Sequence, residues 1–217
     1  MIKFVGFDLD GTLLNSLPDL TDAVNYGLEG QNLPRKTTQQ VRSYIGNGAE
    51  ILIQKACFPV TDKQILKSVR NGFDDYYHNH YDAKSHLYDG VEALLDYLKD
   101  HQIQTAILSN KPDQFVKLIV KRMFLGYSFT DVLGQSERFP KKPNPQGLLH
   151  FKTKLALSSE ECVYIGDSDV DIMTAKRAKV ISIGAAWGYR SKEELRQAGA
   201  DYIADTPWDI KTIFINL

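Results

Sequence analysis

Four short runs of apolar residues along the chain have the pattern of buried β-strands. They span residues 2–7, 104–108, 162–165 and 180–183, and polar or glycine-containing sequence follows each of them. Between them, stretches that begin at Val91, Pro112, Pro145 and Val170 repeat their apolar residues with helical spacing. Near-continuous apolar strands that alternate with helices are typical of a parallel sheet covered on both faces. Residues 131–134 and 201–203 are weaker strand candidates. The pattern predicts an α/β fold with a Rossmann-like parallel sheet.

One long segment departs from this alternation. Residues 16–86 show helical periodicity without a convincing strand, and they follow directly after the first strand. We therefore predict two domains: an α/β core made of residues 1–15 and 87–217, and an inserted all-helical cap made of residues 16–86. The segments 15–18 and 87–90 are the expected linkers between them.

Composition and charge exclude several classes of function. The chain has 217 residues, 43% of them hydrophobic and 24% charged, and its formal net charge is −1. This balance gives no electrostatic attraction to nucleic acid or to an anionic membrane. No apolar run approaches the roughly 20 residues that span a bilayer. The two cysteines, Cys57 and Cys162, are expected to be buried thiols in a reducing compartment. We expect a cytoplasmic protein; the sequence does not indicate its oligomeric state.

Polar side chains cluster where the predicted strands end. Asp8 and Asp10 follow the first strand, residues 109–111 follow the second, and the acidic segment 166–171 follows the third. A further segment, 141–145, lies just before a helix. Because ligands bind beyond the carboxyl ends of strands in open α/β sheets, these segments should meet in one site.

The residue types in this predicted site suit phosphoryl transfer. A carboxylate can attack phosphorus and form a covalent acyl phosphate, which divides one difficult step into two. Carboxylate and phosphate repel each other, so a hard cation with oxygen ligands is needed, and Mg²⁺ fits. A hydroxyl group, backbone amides and a lysine can hold the phosphate oxygens, while a second carboxylate moves the proton.

Four sequence motifs carry a family resemblance that covers essentially the whole chain. "FDLDGTLLNS", "LSNK", "KPNP" and "GDSDVDIMTAKRA" resemble, in order and spacing, the four motifs of the haloacid dehalogenase (HAD) superfamily. The tail "WGYRSKEELRQAGADYIADTPWDI" and the stretch "VRSYIGNGAEILI" are similar to the phosphoglycolate phosphatase-like branch. The resemblance implies the HAD fold with a helical cap, and a phosphatase that acts on a small phosphorylated metabolite.

The resemblance also implies a role for individual residues. Asp8 would be the nucleophile and a Mg²⁺ ligand, and Asp10 would be the general acid/base that gives its backbone carbonyl to the metal. Asp167 would be the second metal-binding carboxylate, and Lys142 would hold the phosphate. Asp171 would orient Lys142 or a metal-bound water. The expected phosphate- or substrate-binding residues are Gly11, Thr12, Ser109 and Asn110.

Some of these residues have a purely structural interpretation as well. Ser109 could instead be the N-cap of the helix that begins near Pro112, or fill both roles. Asp169 is expected to be a solvated or capping acid at a helix start. In the predicted cap, Gly46 marks a glycine-bearing turn that is either a plain helix break or part of a loop that selects substrate. Arg42 just before it could then read a carboxylate or phosphate.

The sequence departs from its relatives at positions outside the proposed contacts. Asn15 stands where related phosphatases usually carry an acid, Lys179 where they usually carry glycine, and Arg190 where "GYG" is common. These departures weaken any transfer of substrate identity. Two alternatives therefore stay open: a sugar phosphomutase of the beta-phosphoglucomutase type, and a non-catalytic phospho-ligand-binding protein on the same core.

Overall fold

The computed structural model describes all 217 residues, which form eight strands and ten α-helices. The strands are β1 (Phe4–Phe7), β2 (Leu14–Asn15), β3 (His86–Leu87), β4 (Gln104–Pro112), β5 (Asp131–Gln135), β6 (Cys162–Gly166), β7 (Ile181–Ala185) and β8 (Tyr202–Ala204). The helices are α1 (Leu17–Glu29), α2 (Thr38–Tyr44), α3 (Ala49–Cys57), α4 (Lys63–His80), α5 (Val91–Asp100), α6 (Asp113–Met123), α7 (Gln146–Leu155), α8 (Asp169–Ala178), α9 (Lys192–Gln197) and α10 (Asp209–Ile215).

The chain divides into two compact units. The first comprises Met1–Leu14 and Leu87–Leu217, and the second comprises Asn15–His86. The short strands β2 and β3 pair with each other where the chain passes from one unit to the other. None of the ten helices combines the length and apolar composition that crossing a membrane requires.

The first unit contains a six-stranded parallel sheet in the order β5-β4-β1-β6-β7-β8. The α/β, Rossmann-like core predicted from the alternating pattern is therefore confirmed. The chain runs from β1 outward to β4 and β5, and then returns to the other side of β1 to add β6, β7 and β8. This reversal of strand order next to β1 creates the crevice at which α/β sheets bind ligands.

The register of the sheet places the predicted site residues side by side. Phe7 pairs with Ile107 of β4 on one side and with Ile165 of β6 on the other. Asp8 therefore follows β1 at the level of Leu108 and Gly166. All four residues of β1 are buried, which explains why its sequence is apolar throughout.

One side of the sheet is covered by a continuous apolar cluster. Phe4, Leu108 and Tyr164 from the strands pack in this cluster with Phe151 from α7 and Ala175 from α8. These two helices therefore bury their apolar faces against the central strands. They also bring their N-terminal ends, next to the Lys142 and Asp167 segments, to the same edge of the sheet.

Strand β4 is longer than its sequence predicts. The expected strand ends at Leu108, but the extended conformation continues to Pro112 and shifts register against β5 between Leu108 and Pro112. Helix α6 consequently begins at Asp113 with Pro112 at the N-cap position and no side-chain cap. The alternative role of Ser109 as a helix N-cap is therefore wrong, because Ser109 lies within the strand.

The second unit consists of helices α1 to α4. Helix α1 starts with a proline in its first turn, where a missing N–H costs no hydrogen bond. Asp62 caps α4 by accepting hydrogen bonds from the backbone N–H groups of Gln64 and Ile65. His86, placed in the helical segment by the sequence pattern, instead belongs to the two-residue strand β3.

Candidate active site

A buried lysine lies between two carboxylates at the carboxyl edge of the sheet. The Nζ atom of Lys142 is 2.8 Å from Oδ1 of Asp8 and 2.6 Å from Oδ1 of Asp171. All three side chains are buried. A buried charge is tolerated only when it is paired. Lys142 therefore stabilises the ionised forms of both carboxylates.

Three carboxylates in this cluster lie close enough to bind one cation. Asp8, Asp167 and Asp171 each present an oxygen atom within 4.8 Å of the other two, and all three residues are buried. Oxygen atoms of ionised carboxylates are the preferred ligands of Mg²⁺. Asp8 and Asp167 therefore fit as ligands of a hard divalent cation, while both oxygens of Asp171 contact protein partners. Asp10, predicted to give its backbone carbonyl, is not among these three carboxylates.

The pKa values of Asp8 and Asp167 show the effect of burying several carboxylates close together. Burial raises the pKa of Asp8 to about 7; the nearby Lys142 opposes the rise, and Asp171 and Asp10 add to it. Burial also raises the pKa of Asp167 well above its usual range, with further contributions from Asp171 and Asp8. Mutually repelling buried carboxylates of this kind gain from a bound cation, which supports the fit to a metal.

The ammonium group of Lys142 stays charged despite its burial. Burial alone would lower its pKa, but Asp171 and Asp8 outweigh that effect and the pKa is raised. Lys142 also donates a hydrogen bond of 3.1 Å to the hydroxyl of Tyr164, which in turn donates one of 2.8 Å to the carbonyl of Leu108. A fixed positive charge is therefore available beside Asp8.

Asp171 has two structural tasks. Its Oδ2 accepts hydrogen bonds from the backbone N–H of Ser168 at 3.1 Å and from the Ser168 hydroxyl at 2.6 Å, forming the capping box of α8. Its Oδ1 contacts Lys142, one of the two partners expected for it from the sequence. Asp169 is exposed in the first turn of α8, whereas the N-cap is Ser168.

The loop after β1 and the loop after β7 enclose Asp167. Its oxygens accept hydrogen bonds from the Thr12 hydroxyl at 3.2 Å and from the backbone N–H of Tyr189 at 2.8 Å. Gly11 has a φ of +87°, and a Cβ atom there would overlap the Asp167 carboxylate. A Cβ on Gly188 would overlap Asp167 as well. Glycine at both positions therefore lets backbone approach the carboxylate closely.

Asn110 positions the segment that carries Lys142. The side chain of Asn110 accepts a 2.7 Å hydrogen bond from the backbone N–H of Lys142 and donates a 3.1 Å bond to its carbonyl. Ser109 is buried, and its hydroxyl accepts a 3.3 Å bond from the backbone N–H of Lys111. The structure thus brings together the predicted residues of the first unit: Asp8, Asp10, Gly11, Thr12, Ser109, Asn110, Lys142, Asp167 and Asp171.

Two predicted residues lie in the second unit. Arg42 is exposed on α2, and Gly46 has a φ of +118° in the turn between α2 and α3. A left-handed conformation at Gly46 explains why a glycine occupies the turn. The part these residues take in reading a substrate stays a prediction.

The sequence interpretation did not identify three residues of the site. Lys111 is buried, and its Nζ lies 2.8 Å from Oδ2 of Asp10. Its place at the end of the "LSNK" motif was the available signal. Tyr164 interrupts an otherwise apolar strand with a hydroxyl, which is a second such signal. Trp187, whose indole N–H donates a 2.9 Å bond to the Thr12 carbonyl, had none.

Comparisons with known proteins agree with this geometry. A family model described as "Haloacid dehalogenase-like hydrolase" matches residues 5–185. The chain is 36% identical to a phosphoglycolate phosphatase of Vibrio cholerae, over 98% of this chain and 95% of the relative, and 37% identical to one of Vibrio vulnificus, over 94% and 92%. The crystal structure of a predicted phosphoglycolate phosphatase from Haemophilus somnus superimposes with a TM-score of 0.91 at 32% identity, covering 98% of both chains.

Proposed function

The chain belongs to the haloacid dehalogenase-like hydrolase family and is a phosphoric monoester hydrolase; from that premise we propose that it is a Mg²⁺-dependent phosphatase acting through a phosphorylated Asp8. The observation that carries the proposal is the contact of Asp8 with Lys142 within a buried cluster of three carboxylates. The substrate is a small phosphomonoester. The names of the relatives make 2-phosphoglycolate the first substrate to test.

The first half-reaction belongs to Asp8. An oxygen of its carboxylate forms a bond to phosphorus while the bond from phosphorus to the ester oxygen of the substrate breaks. Asp10 gives a proton to that departing oxygen, so a neutral alcohol leaves. The product on the protein is an acyl phosphate at Asp8.

The second half-reaction regenerates the carboxylate. Asp10, now ionised, removes a proton from a water molecule as that water attacks the phosphorus of the acyl phosphate. The bond between phosphorus and the Asp8 oxygen breaks, and inorganic phosphate is released. In this proposal Lys142 offsets negative charge on the transferring group in both steps, and Thr12, Ser109 and nearby backbone N–H groups would hold its oxygens.

A bound Mg²⁺ ion would be held by Asp8, Asp167 and the backbone carbonyl of Asp10, and it would neutralise the repulsion between carboxylate and phosphate. Asp8, Asp10, Asp167 and Asp171 formally carry four negative charges against the two positive charges of Lys111 and Lys142. The uncompensated charge equals that of one divalent cation.

A direct assay tests the proposal. Purified protein should release phosphate from p-nitrophenyl phosphate and from 2-phosphoglycolate with Mg²⁺, and should lose this activity in excess EDTA. Asp8→Asn should lower the rate by at least about 10³-fold, because the nucleophile is removed. Asp169→Asn is the matched control from the exposed start of α8 and should keep the activity.

Two results would contradict the proposal. A wild type inert on a broad panel of phosphomonoesters would favour the non-catalytic binding protein. Turnover of a sugar phosphate only in the presence of a bisphosphate sugar activator would favour the mutase.

A further inference from the structure

The candidate active site contains a second buried lysine to which the proposed chemistry assigns no task. Lys111 lies near the end of β4 with 8% of its surface exposed, and its Nζ is 2.8 Å from Oδ2 of Asp10. The Asp10 side chain is itself only 13% exposed. A lysine ammonium is costly to bury, so its retention at this position calls for an anion there.

The two lysines serve different carboxylates. Lys142 contacts Asp8 and Asp171, which places it beside the atom that attacks phosphorus. Lys111 contacts Asp10, the residue that exchanges a proton with the departing alcohol. One positive charge therefore lies beside the proposed nucleophile, and the other lies beside the proposed general acid.

The position of the leaving group follows from the task of Asp10. A general acid must come within about 3 Å of the oxygen that it protonates. In a productive complex the ester oxygen of the substrate would lie against the Asp10 carboxylate, and the ammonium of Lys111 contacts that same carboxylate. A charged group attached to the first carbon beyond that oxygen would then lie near Lys111.

We propose that Lys111 is a specificity-determining residue that selects phosphomonoesters whose leaving alcohol carries a carboxylate next to its first carbon. The inference rests on the proposed function and names the substrate class of the same site. In the proposed complex the Lys111 ammonium, which pairs with Asp10, is also a partner of the substrate carboxylate. Charge-assisted hydrogen bonds of this kind are the stronger ones in proteins.

A purely positioning role for Lys111 makes a different prediction. If Lys111 acts only by orienting Asp10, its loss slows every substrate that needs a proton on the leaving oxygen. If it also binds the substrate carboxylate, its loss slows anionic substrates far more than neutral ones. The two roles therefore separate when two substrates of similar size and equal leaving chemistry are compared.

The test compares 2-phosphoglycolate with 2-hydroxyethyl phosphate, in which a hydroxymethyl group replaces the carboxylate. In Lys111→Met, kcat/KM for 2-phosphoglycolate should fall at least about 10-fold more than kcat/KM for 2-hydroxyethyl phosphate, mainly through KM. Lys111→Arg keeps the charge and should retain the preference for the anionic substrate. Lys117→Met, which removes an exposed lysine on α6, is the control and should leave the ratio unchanged.

Each alternative outcome overturns a distinct claim. If kcat/KM falls equally for both substrates in Lys111→Met, so that their ratio is unchanged, Lys111 does not bind the carboxylate of the leaving group. If Lys111→Met does not fold, Lys111→Gln provides the neutral variant, and the same ratio decides. A wild type inert on both substrates and on p-nitrophenyl phosphate would instead remove the proposed function itself.

Discussion

At the scale of single residues, the burial of neighbouring carboxylates in the site destabilises the folded state. Asp8 and Asp167 are buried, and their pKa values are raised because burial and neighbouring carboxylates disfavour the ionised forms. Lys142 offsets part of this cost for Asp8. Active sites commonly keep such destabilising groups because the chemistry requires them.

The titration of Asp8 predicts how the stability of the metal-free protein depends on pH. The pKa of Asp8 is raised from an ordinary value of 3.8 to about 7, so the folded state holds this proton more tightly than the unfolded state does. Its contribution is fully present below about pH 4 and is lost as the pH rises through about 7. Asp8→Asn cannot ionise and should escape that loss.

Urea unfolding in EDTA between about pH 4 and pH 8 measures this effect. The free energy of unfolding of Asp8→Asn minus that of the wild type should grow across this window and level off above about pH 7. Titrating groups that do not interact with Asp8 are shared by the two proteins and cancel in the difference, whereas the coupling of Asp8 to Asp167 and Lys142 is part of what the difference measures. A difference that does not change with pH would contradict the assignment.

At the scale of single elements, the end of α8 departs from the usual chemistry of helix termini. Lys179 occupies the position after the last residue of α8 with a φ of +57°, in the left-handed region. Glycine is the usual residue at such a position because it has no Cβ to strain. The sequence departure at Lys179 therefore has a structural cost that lies outside the site.

Replacing this lysine should stabilise the protein. Lys179→Gly should raise the free energy of unfolding by about 1 kcal/mol, because the left-handed conformation no longer strains a side chain. Lys176→Gly, in the last turn of the same helix, should instead lower it by about 1 kcal/mol. Urea unfolding of both variants checks the prediction, and a loss of stability in Lys179→Gly would refute it.

In the helical unit, a buried carboxylate joins α1 to the segment that follows α4. Asp19 is 1% exposed, and it accepts hydrogen bonds from the backbone N–H groups of Lys84 and Ser85 and from the Ser85 hydroxyl. Asp19 thereby fixes the end of the unit against its beginning. The sequence interpretation did not identify this contact, because Lys84 and Ser85 lie 65 and 66 residues after Asp19 in the chain.

Removal of Asp19 should therefore be costly. Asp19→Ala leaves several donors without their acceptor and should lower the free energy of unfolding by about 3 kcal/mol. Asp22→Ala removes a partly exposed carboxylate that pairs with the Lys84 side chain. It should change the free energy of unfolding by less than about 1 kcal/mol. Equal effects of the two variants in thermal or urea unfolding would argue against Asp19 as the main contact.

At the scale of the whole molecule, the sequence predicts the parallel sheet well because its strands are apolar and short. Phe4–Phe7 and Cys162–Gly166 are recognisable since both faces of β1 and β6 are covered. The extension of β4 through Ser109–Pro112 was missed, because polar residues at a strand end look like a loop.

The sequence also predicts which motif residues form the site. The motif residues around Asp8, Lys142 and Asp167 are brought together by the register of β1, β4 and β6. The motif "LSNK" could have drawn attention to Lys111, but its pairing with Asp10, like the enclosure of Asp167 by Gly188, depends on how loops pack, and no local pattern specifies the partner.

Metal binding should stabilise the folded protein as a whole. With free Mg²⁺ at about 100 times its dissociation constant, the free energy of unfolding should rise by about 2.7 kcal/mol, because only the folded chain brings the carboxylates together. The rise should be larger at pH 8 than at pH 5, since the ligands must be ionised. Thermal unfolding with and without Mg²⁺ measures it, and an unchanged melting temperature, or an equal shift in Asp167→Asn, would contradict the site.

The central claim is that Asp8 carries the phosphoryl group, and Asp10→Asn offers the most direct test of it. An aryl phosphate has a leaving group that departs without a proton, so this variant should still transfer phosphate to Asp8 but should fail to activate the hydrolytic water. Mixing Asp10→Asn with p-nitrophenyl phosphate and Mg²⁺ should release nitrophenolate in a burst equal to the amount of protein. Mass spectrometry should then find one phosphoryl group on the peptide that contains Asp8. Phosphate on any other residue, or steady hydrolysis without a phosphorylated Asp8, would contradict the account.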